Sequence, residues 1–344
     1  MQNRRSFLKY TALVASASIA QPLISFSPPL LPSEAKKAFP VALKAGDKVI
    51  IVSPAGAVFD LSKIEAFRQV LSKLGFVVIL SKSVARQYGY FAGKDQERAD
   101  DINNAFADKS IRGIFCMRGG WGCARILSLL DFKMISENPK VIMGFSDITS
   151  LLLAISLKAN FVTFHGPVGL SSWDVFSENC FKSVIVRAEK NAFPFSASDN
   201  LITLSSGFAR GELIGGNFTV FNSLIGTEYL PNCEGKILFL EELNEDPYKI
   251  DRMFTHLKLA GILDKIVGFI FGVCTKCDAE DLQHSFSLIQ VVNYHILPLK
   301  IPAIYNAPFG HTTKKWTIPI GVFAELDTIK SSFELQQSAV VIDG

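Results

Sequence analysis

The chain is poor in the residues that bind metal ions or staple small folds. It has six cysteines in 344 residues (Cys116, Cys123, Cys180, Cys233, Cys274 and Cys277), too few for a disulfide scaffold at this length. Cys274-Thr275-Lys276-Cys277 is a lone C-x-x-C with no second pair at finger spacing. A zinc site is therefore not expected, and the pair reads as a local disulfide or two ordinary thiols. The five histidines include no H-E-x-x-H spacing, so no hydrolytic metal centre, and no other metal or cofactor, is called for. A G-x-G-x-x-G turn with an acid some twenty residues on is missing, as is a phosphate loop, which argues against a nucleotide-binding protein. No internal repeat is present. No apolar run reaches the length of about 20 residues that spans a bilayer: Tyr10–Ile19 is soon interrupted by Gln21 and Pro22, so a stable membrane anchor is not expected.

What remains is globular material. Hydrophobic residues make up 49% of the chain and charged residues 19%, enough apolar side chain for a sizeable core in a length that suits two domains. The formal charge of +3 belongs to the start of the chain. Residues 1–37 carry Arg4, Arg5, Lys9, Lys36 and Lys37 against Glu34; the remainder holds 30 basic and 31 acidic residues, a net of −1. A near-neutral body has no global attraction for nucleic acid or an anionic membrane, and neither is expected as a partner. Asn3-Arg4-Arg5-Ser6-Phe7-Leu8-Lys9 is a twin-arginine pattern, followed by the apolar run and a Pro/Ser-rich stretch to Pro32. Residues 1–37 thus read as a targeting signal and linker. Ser18-Ile19-Ala20 and Ser33-Glu34-Ala35 are both passable cleavage points. The expectation is export of an already folded protein to the periplasm or its equivalent.

Past the leader, short apolar runs alternate with helical spacing, the mark of a parallel α/β sheet. Strands are expected at Lys48–Val52, Phe76–Leu80, Gly113–Met117 and Val141–Met143, and helices at Leu61–Leu74, Asp95–Ala107, Cys123–Leu130 and Ile148–Lys158. Around Lys182–Ser205 the rhythm breaks into polar segments that read as a linker. Further strands are expected at Leu201–Leu204, Lys236–Leu240, Ile266–Phe271, Trp316–Pro319 and Val340–Ile342, with helices at Phe218–Ile225 and Tyr248–Leu259. The expected architecture is α/β: a doubly wound, Rossmann- or flavodoxin-like parallel-sheet domain over 41–185, then a strand-rich C-terminal domain over 206–344.

Two turns at strand ends stand out. In Gly144-Phe145-Ser146-Asp147 a strand stops and a serine sits where a helix begins, at the carboxyl end of the sheet where α/β proteins place ligands. Free N–H groups at such a helix start can hold an oxyanion. Ile148 stands where the G-x-S-x-G elbow has its second glycine, so an ordinary α/β-hydrolase is not indicated, and a plain helix cap competes with the catalytic reading. Arg118-Gly119-Gly120-Trp121-Gly122 is a second strand-to-helix turn, whose glycines let backbone N–H groups approach a ligand. A serine nucleophile needs a base. His256 lies among Met253, Phe254 and Leu257 and reads as core or interface; His165 ends an apolar run; His284 and His295 lack neighbouring polar signals. His311, in the turn-rich Asn306-Ala307-Pro308-Phe309-Gly310-His311-Thr312, is the favourite. Glu241 at the end of the strand Lys236–Leu240 suits the orienting carboxylate, whereas Glu242, Glu245 and Asp246 read as a solvated acidic run.

Taken in order, six segments resemble the LD-carboxypeptidase (muramoyltetrapeptide carboxypeptidase) family, which includes microcin-immunity peptidases. They are Val52-Ser53-Pro54-Ala55-Gly56, the Arg118–Gly122 turn, Gly144–Asp147, Gly215-Gly216-Asn217, Leu240–Tyr248 and Phe309-Gly310-His311, spanning about Ala45 to Ile320. Each is modest alone; six in register are specific. The resemblance implies an active site between two domains and a Ser-Glu-His triad of Ser146, Glu241 and His311. It implies oxyanion N–H groups from Asp147 and Gly120, with Gly119 and Asn217 near the substrate, although Asn217 equally suits the N-cap of the following helix. Relatives tolerate other residues at the position of His165, which lowers its claim to a catalytic role. The implied reaction frees D-alanine from the L-centre of a diamino acid in murein peptides, and family members commonly form homodimers. A carboxypeptidase must also hold a free carboxylate, a task for backbone N–H groups or an arginine, and Arg118 and Arg252 are both candidates. The alternatives are a related peptidase or amidase acting on another peptide conjugate and a non-catalytic periplasmic peptide-binding protein.

Overall fold

A computed structural model describes residues 37–190, 193–195 and 200–343. The twin-arginine pattern, the apolar run and both cleavage candidates lie outside the described residues. Lys36–Gly344 forms one compact unit, built on two sheets.

The first half alternates, with β1 (Lys48–Val52), α1 (Ser62–Lys73), β2 (Val77–Leu80), α2 (Asp95–Ala107), β3 (Ile111–Cys116), α3 (Cys123–Ile126), α4 (Phe132–Ser136), β4 (Val141–Gly144), α5 (Ile148–Lys158) and β5 (Thr163–His165); α4 and β5 are additions to the expected elements. The helix expected over Cys123–Leu130 is shorter, passing into a 3-10 turn after Ile126. Helix α1 buries Ile64, Phe67 and Leu71 on one stripe and stops before Gly75, whose φ of +94° ends the helix. The sheet order is β11-β5-β4-β3-β1-β2, and β1 to β5 run parallel. That is the flavodoxin-like order, with its switch point between β1 and β3.

The second half comprises α6 (Val175–Phe181), β6 (Ile202–Ser205), β7 (Phe208–Asn217), α7 (Phe218–Ser223), β8 (Ile237–Leu243), α8 (Pro247–Leu259), β9 (Gly268–Thr275), α9 (Leu288–Ile296), β10 (Ala303–Gly310), β11 (Ile318–Ile320), β12 (Phe323–Asp327) and β13 (Ser332–Leu335). Its sheet order is β13-β12-β7-β8-β9-β10-β6, with β7 to β10 parallel. Strand β11 crosses back to pair antiparallel with β5 in the first sheet. Helix α5, buried throughout Ile148–Ser156, packs on β4 and β5 and also on β7. Covered on every face along that stretch, Thr149, Ser150 and Ser156 included, it offers no side to solvent there.

Three expectations are corrected. Strand β7 is ten residues long where no strand is expected, its apolar run being broken by Gly211, Gly215 and Gly216. The glycines serve close packing instead: a Cβ on Gly216 would strike Thr149 of α5, and one on Gly215 the carbonyl of Phe239. The segment Asn306–Gly310 belongs to β10 and not to a loop. It is irregular, with register shifts on either side of Ala307 and a φ of +65° at Asn306, and bulges of this kind accommodate Pro308. Val340–Ile342 forms no strand, only a bridge between Val341 and Val41.

Candidate active site

The carboxyl ends of both parallel sheets converge on one cleft lined by Arg118, Gly119, Gly120, Ser146, His311 and Lys315, among others. At the end of β4 the backbone turns sharply, and Ser146 takes a φ of +63°, left-handed and costly for a side-chain-bearing residue by about 1–2 kcal/mol. An elbow forms although its second glycine is absent, because the first one makes room. A Cβ on Gly144 would lie 2.7 Å from Ile148 Cγ2, so Ile148 packs inward over the bare Gly144.

The glycine turn after β3 lies directly against this elbow. A Cβ on Gly119 would sit 2.8 Å from Ser146 Cβ and 2.9 Å from its Oγ, which only glycine permits. Gly56 N–H donates to Gly119 O at 3.2 Å, joining the ends of β1 and β3 at the switch point. Arg118 Nε donates to the same carbonyl at 3.2 Å and Nη1 to Ala57 O at 2.9 Å. The Asp147 carboxylate accepts from Cys123 N–H at 2.8 Å, fastening elbow to turn; burial raises its pKa. The backbone N–H groups of Gly120 and Asp147 have no acceptor among the described residues, so both are free to bind an oxyanion.

Glu241 is fully buried on β8, in register with Asn217 of β7. His311 follows β10, and its Nδ1 lies 2.7 Å from Glu241 Oε2. Gly310, at φ +91°, allows the approach, since a Cβ there would run into the Glu241 carboxylate. Thr275 Oγ1 donates to His311 O at 2.7 Å, and the Phe145 ring lies 4.8 Å from the imidazole. Burial is the largest influence on Glu241 and pushes its pKa up. The hydrogen bond from His311, the charges of His311 and His165 and a hydrogen bond from Asn217 together take it below the ordinary value. The two halves of the site are joined one turn beyond the serine, where Asn217 N–H donates to Thr149 Oγ1 at 2.9 Å. Among the described residues Ser146 Oγ makes no hydrogen bond to His311, but both side chains line the same cleft.

Sequence comparison matches residues 49–166 to the LD-carboxypeptidase N-terminal domain and residues 210–326 to the LD-carboxypeptidase C-terminal domain. The chain belongs to the LD-carboxypeptidase family. A probable murein peptide carboxypeptidase of Bacillus subtilis is 34% identical over 85% of this chain and 92% of its own. The murein tetrapeptide carboxypeptidase of Pseudomonas aeruginosa is 29% identical over 81% and 93%. The solved structure of the microcin C7 self-immunity protein MccF superposes with a TM-score of 0.81 at 24% identity, covering 88% of this chain and all of that one, a likeness of fold.

The other residues singled out from this family member's sequence fall as follows. Asn217 caps α7, accepting from Val220 N–H at 3.1 Å and donating to Glu242 at 3.0 Å. Its side chain is thus occupied by protein partners, and it does not line the cleft. Arg252 lies exposed on α8, outside the cleft lining. Glu242, expected in a solvated run, is buried and accepts from Asn217, Thr219 N–H and Leu243 N–H. Strand β8 runs on past the apolar run to Leu243 and is buried through Glu242, which is why composition hid it. His256, expected in the core or at an interface, is exposed in this chain and bonds Asn222. His295 is the buried one, 2.6 Å from Asp251 and stacked on Phe254. His284 pairs with Asp281 in an exposed turn. All six cysteines are free thiols, and the described residues hold no cluster of potential metal ligands. No helix among the described residues is long and apolar enough to cross a membrane.

His165 lies behind the His311–Glu241 pair, among Phe145, Phe239 and Phe309 at ring separations of 6.0, 5.5 and 5.8 Å. Neither ring nitrogen has a partner among the described residues, and neither has Glu241 Oε1. Burial lowers the His165 pKa to about 4. The unfolded chain takes up this proton near pH 6.5, the folded protein only near pH 4, so the stabilising contribution is complete above pH 6.5 and is lost as pH falls towards 4. The interval corresponds to about 3 kcal/mol. His165→Phe, which suits the aromatic surroundings, is expected to remove that part of the acid sensitivity. Denaturant melts at pH 7 and pH 4.5 would measure it, and an unchanged difference between the two pH values would refute a neutral buried imidazole.

Proposed function

We propose that the protein is a serine-type LD-carboxypeptidase that removes the terminal D-alanine from murein tetrapeptides, with Ser146, Glu241 and His311 as its triad. The observation that carries this reading is the buried Glu241–His311 pair, 2.7 Å apart, facing a cleft whose wall presents Ser146 on a left-handed elbow beside two unpaired N–H groups. His311 Nε2 accepts the Ser146 hydroxyl proton as Oγ attacks the carbonyl at the L-centre of the diamino acid. Glu241 holds the proton on Nδ1 and stabilises the imidazolium that forms. The N–H groups of Asp147 and Gly120 receive the oxyanion, each worth about 3 kcal/mol in reactions of this type. As the tetrahedral species collapses, the imidazolium gives its proton to the departing amine of D-alanine. Water, activated by the same imidazole, then releases the tripeptide from Ser146. No step calls on a metal. The twin-arginine pattern of residues 3–9 supports a periplasmic site of action, where murein peptides are found.

The test is direct. Protein incubated with a tetrapeptide ending in diaminopimelate–D-alanine or lysine–D-alanine is expected to release D-alanine and tripeptide, read by mass spectrometry, with undiminished rate in the presence of a chelator. An intact tetrapeptide beside a cleaved peptide–nucleotide conjugate would move the assignment to another substrate class; binding without product would make the protein a peptide receptor.

A further inference from the structure

The peptidase reading leaves one requirement unmet: the substrate's C-terminal carboxylate needs donors inside the cleft, either backbone N–H groups or a cation. Among the described residues no aspartate or glutamate lines the cleft, and two cationic side chains do, Arg118 and Lys315. Arg118 commits two of its five N–H donors to loop carbonyls. Its Nε and Nη1 hold Gly119 O and Ala57 O, and a Cβ on Gly56 would lie 3.2 Å from its Nε, so the guanidinium lies flat against the loops that shape the oxyanion turn.

We propose that the Lys315 ammonium receives the free terminal carboxylate of the leaving D-amino acid. Lys315 lies four residues after His311 and is only 5% exposed. Its Nζ hovers 5.7 Å above the Phe145 ring, the ring that also touches His311 at 4.8 Å. Phe145 is the residue before the nucleophile, so the ammonium is placed beside the reacting centre on the His311 side. One of its three N–H donors is bound to Thr312 O. It forms no ion pair with any carboxylate among the described residues. A buried ammonium without a counter-ion is costly, and burial lowers its pKa against the charges of Asp174 and Glu241. A docking carboxylate removes that cost. The backbone is rigidly held: Lys315 N–H donates to Ser177 Oγ at 2.9 Å, and Trp316 N–H to Pro308 O at 2.7 Å. An anchored cation of this kind selects a peptide end over a peptide interior, which is the difference between a carboxypeptidase and an endopeptidase.

The inference rests on the peptidase reading, and binding separates the two. In a Ser146→Ala background, calorimetry compares the tetrapeptide acid with its C-terminal amide. The acid is expected to bind about 10- to 100-fold more tightly, the range of a hydrogen bond to a charged group. Adding Lys315→Met is expected to collapse that preference to within about threefold while leaving affinity for the amide unchanged, and Lys315→Arg to restore most of it. Acid and amide binding alike before Lys315 is changed, or a preference that survives Lys315→Met, would overturn the proposal; so would equal loss of both ligands, which marks a structural role. Wild-type protein that binds the acid selectively but releases no D-alanine would instead sink the peptidase reading and leave Lys315 as the anchor of a receptor.

Discussion

Replacing Ser146 with alanine is expected to abolish D-alanine release, lowering kcat on the order of 10⁵-fold or more, the scale of loss when a triad nucleophile is removed. The residual rate would come from the oxyanion N–H groups and from binding alone. The fold should survive, because the Ser146 hydroxyl makes no hydrogen bond among the described residues. A glycine at the same position gives a second readout that activity cannot. At φ +63° a glycine avoids the penalty that serine and alanine share, so Ser146→Gly is expected to be inactive yet more stable than Ser146→Ala by about 1 kcal/mol. Denaturant melts of the two variants measure this. Near wild-type turnover in Ser146→Ala would remove Ser146 from the mechanism, and a Ser146→Gly protein less stable than the alanine variant would mean that the elbow is not strained.

The legible part of this protein is the part whose physics is local. Helices α1, α2 and α5 and strands β1, β4 and β8 announce themselves by periodicity, and their ends by glycine or by a change of pattern. Strands β1 to β4 of the first sheet are readable because each is a short apolar run between helical segments, whereas β5 is only three residues long and is not among the expected strands. Strands β7 and β10 were not, since their glycines and Pro308 serve contacts made far away in sequence. Gly216 makes room for Thr149, Gly215 for the Phe239 carbonyl, and Gly310 for Glu241. A glycine needed for a long-range approach looks the same in sequence as one needed for a turn.

The same limit applied to the site. Ser146, Glu241 and His311 could be named from strand-end positions and from the family pattern, but the local pattern that picks Glu241 at the strand end also assigns its neighbour Glu242 to solvent, where it is not. Both are buried; one accepts from an imidazole and the other from Asn217 and two backbone N–H groups. Lys315 was invisible for a related reason. Among Thr312-Thr313-Lys314-Lys315 it looks like a solvated turn, and only the packing of Ser177 and Phe145 around it shows that Lys315 turns inward while Lys314 stays out.

Glu241→Gln tests the electrostatic half of the mechanism while keeping size and shape. The carboxylate does two things that an amide cannot. It accepts the Nδ1–H in every rotamer, so Nε2 is always the basic nitrogen facing the cleft, and it supplies the negative charge that balances the imidazolium in the transition state. A glutamine can present its NH₂ to Nδ1, which drives the proton to Nε2 and leaves no acceptor for the Ser146 hydroxyl. The charge is also lost where it matters most, in a buried pocket of low dielectric. The expected fall in kcat is about 10³- to 10⁴-fold, with substrate binding in the Ser146→Ala background nearly unchanged because Glu241 is hidden behind His311. Stability need not fall far, since the variant removes a buried charge together with its cost of desolvation. A Glu241→Gln enzyme within about tenfold of wild-type kcat would show that the 2.7 Å contact orients a ring that does not carry the proton.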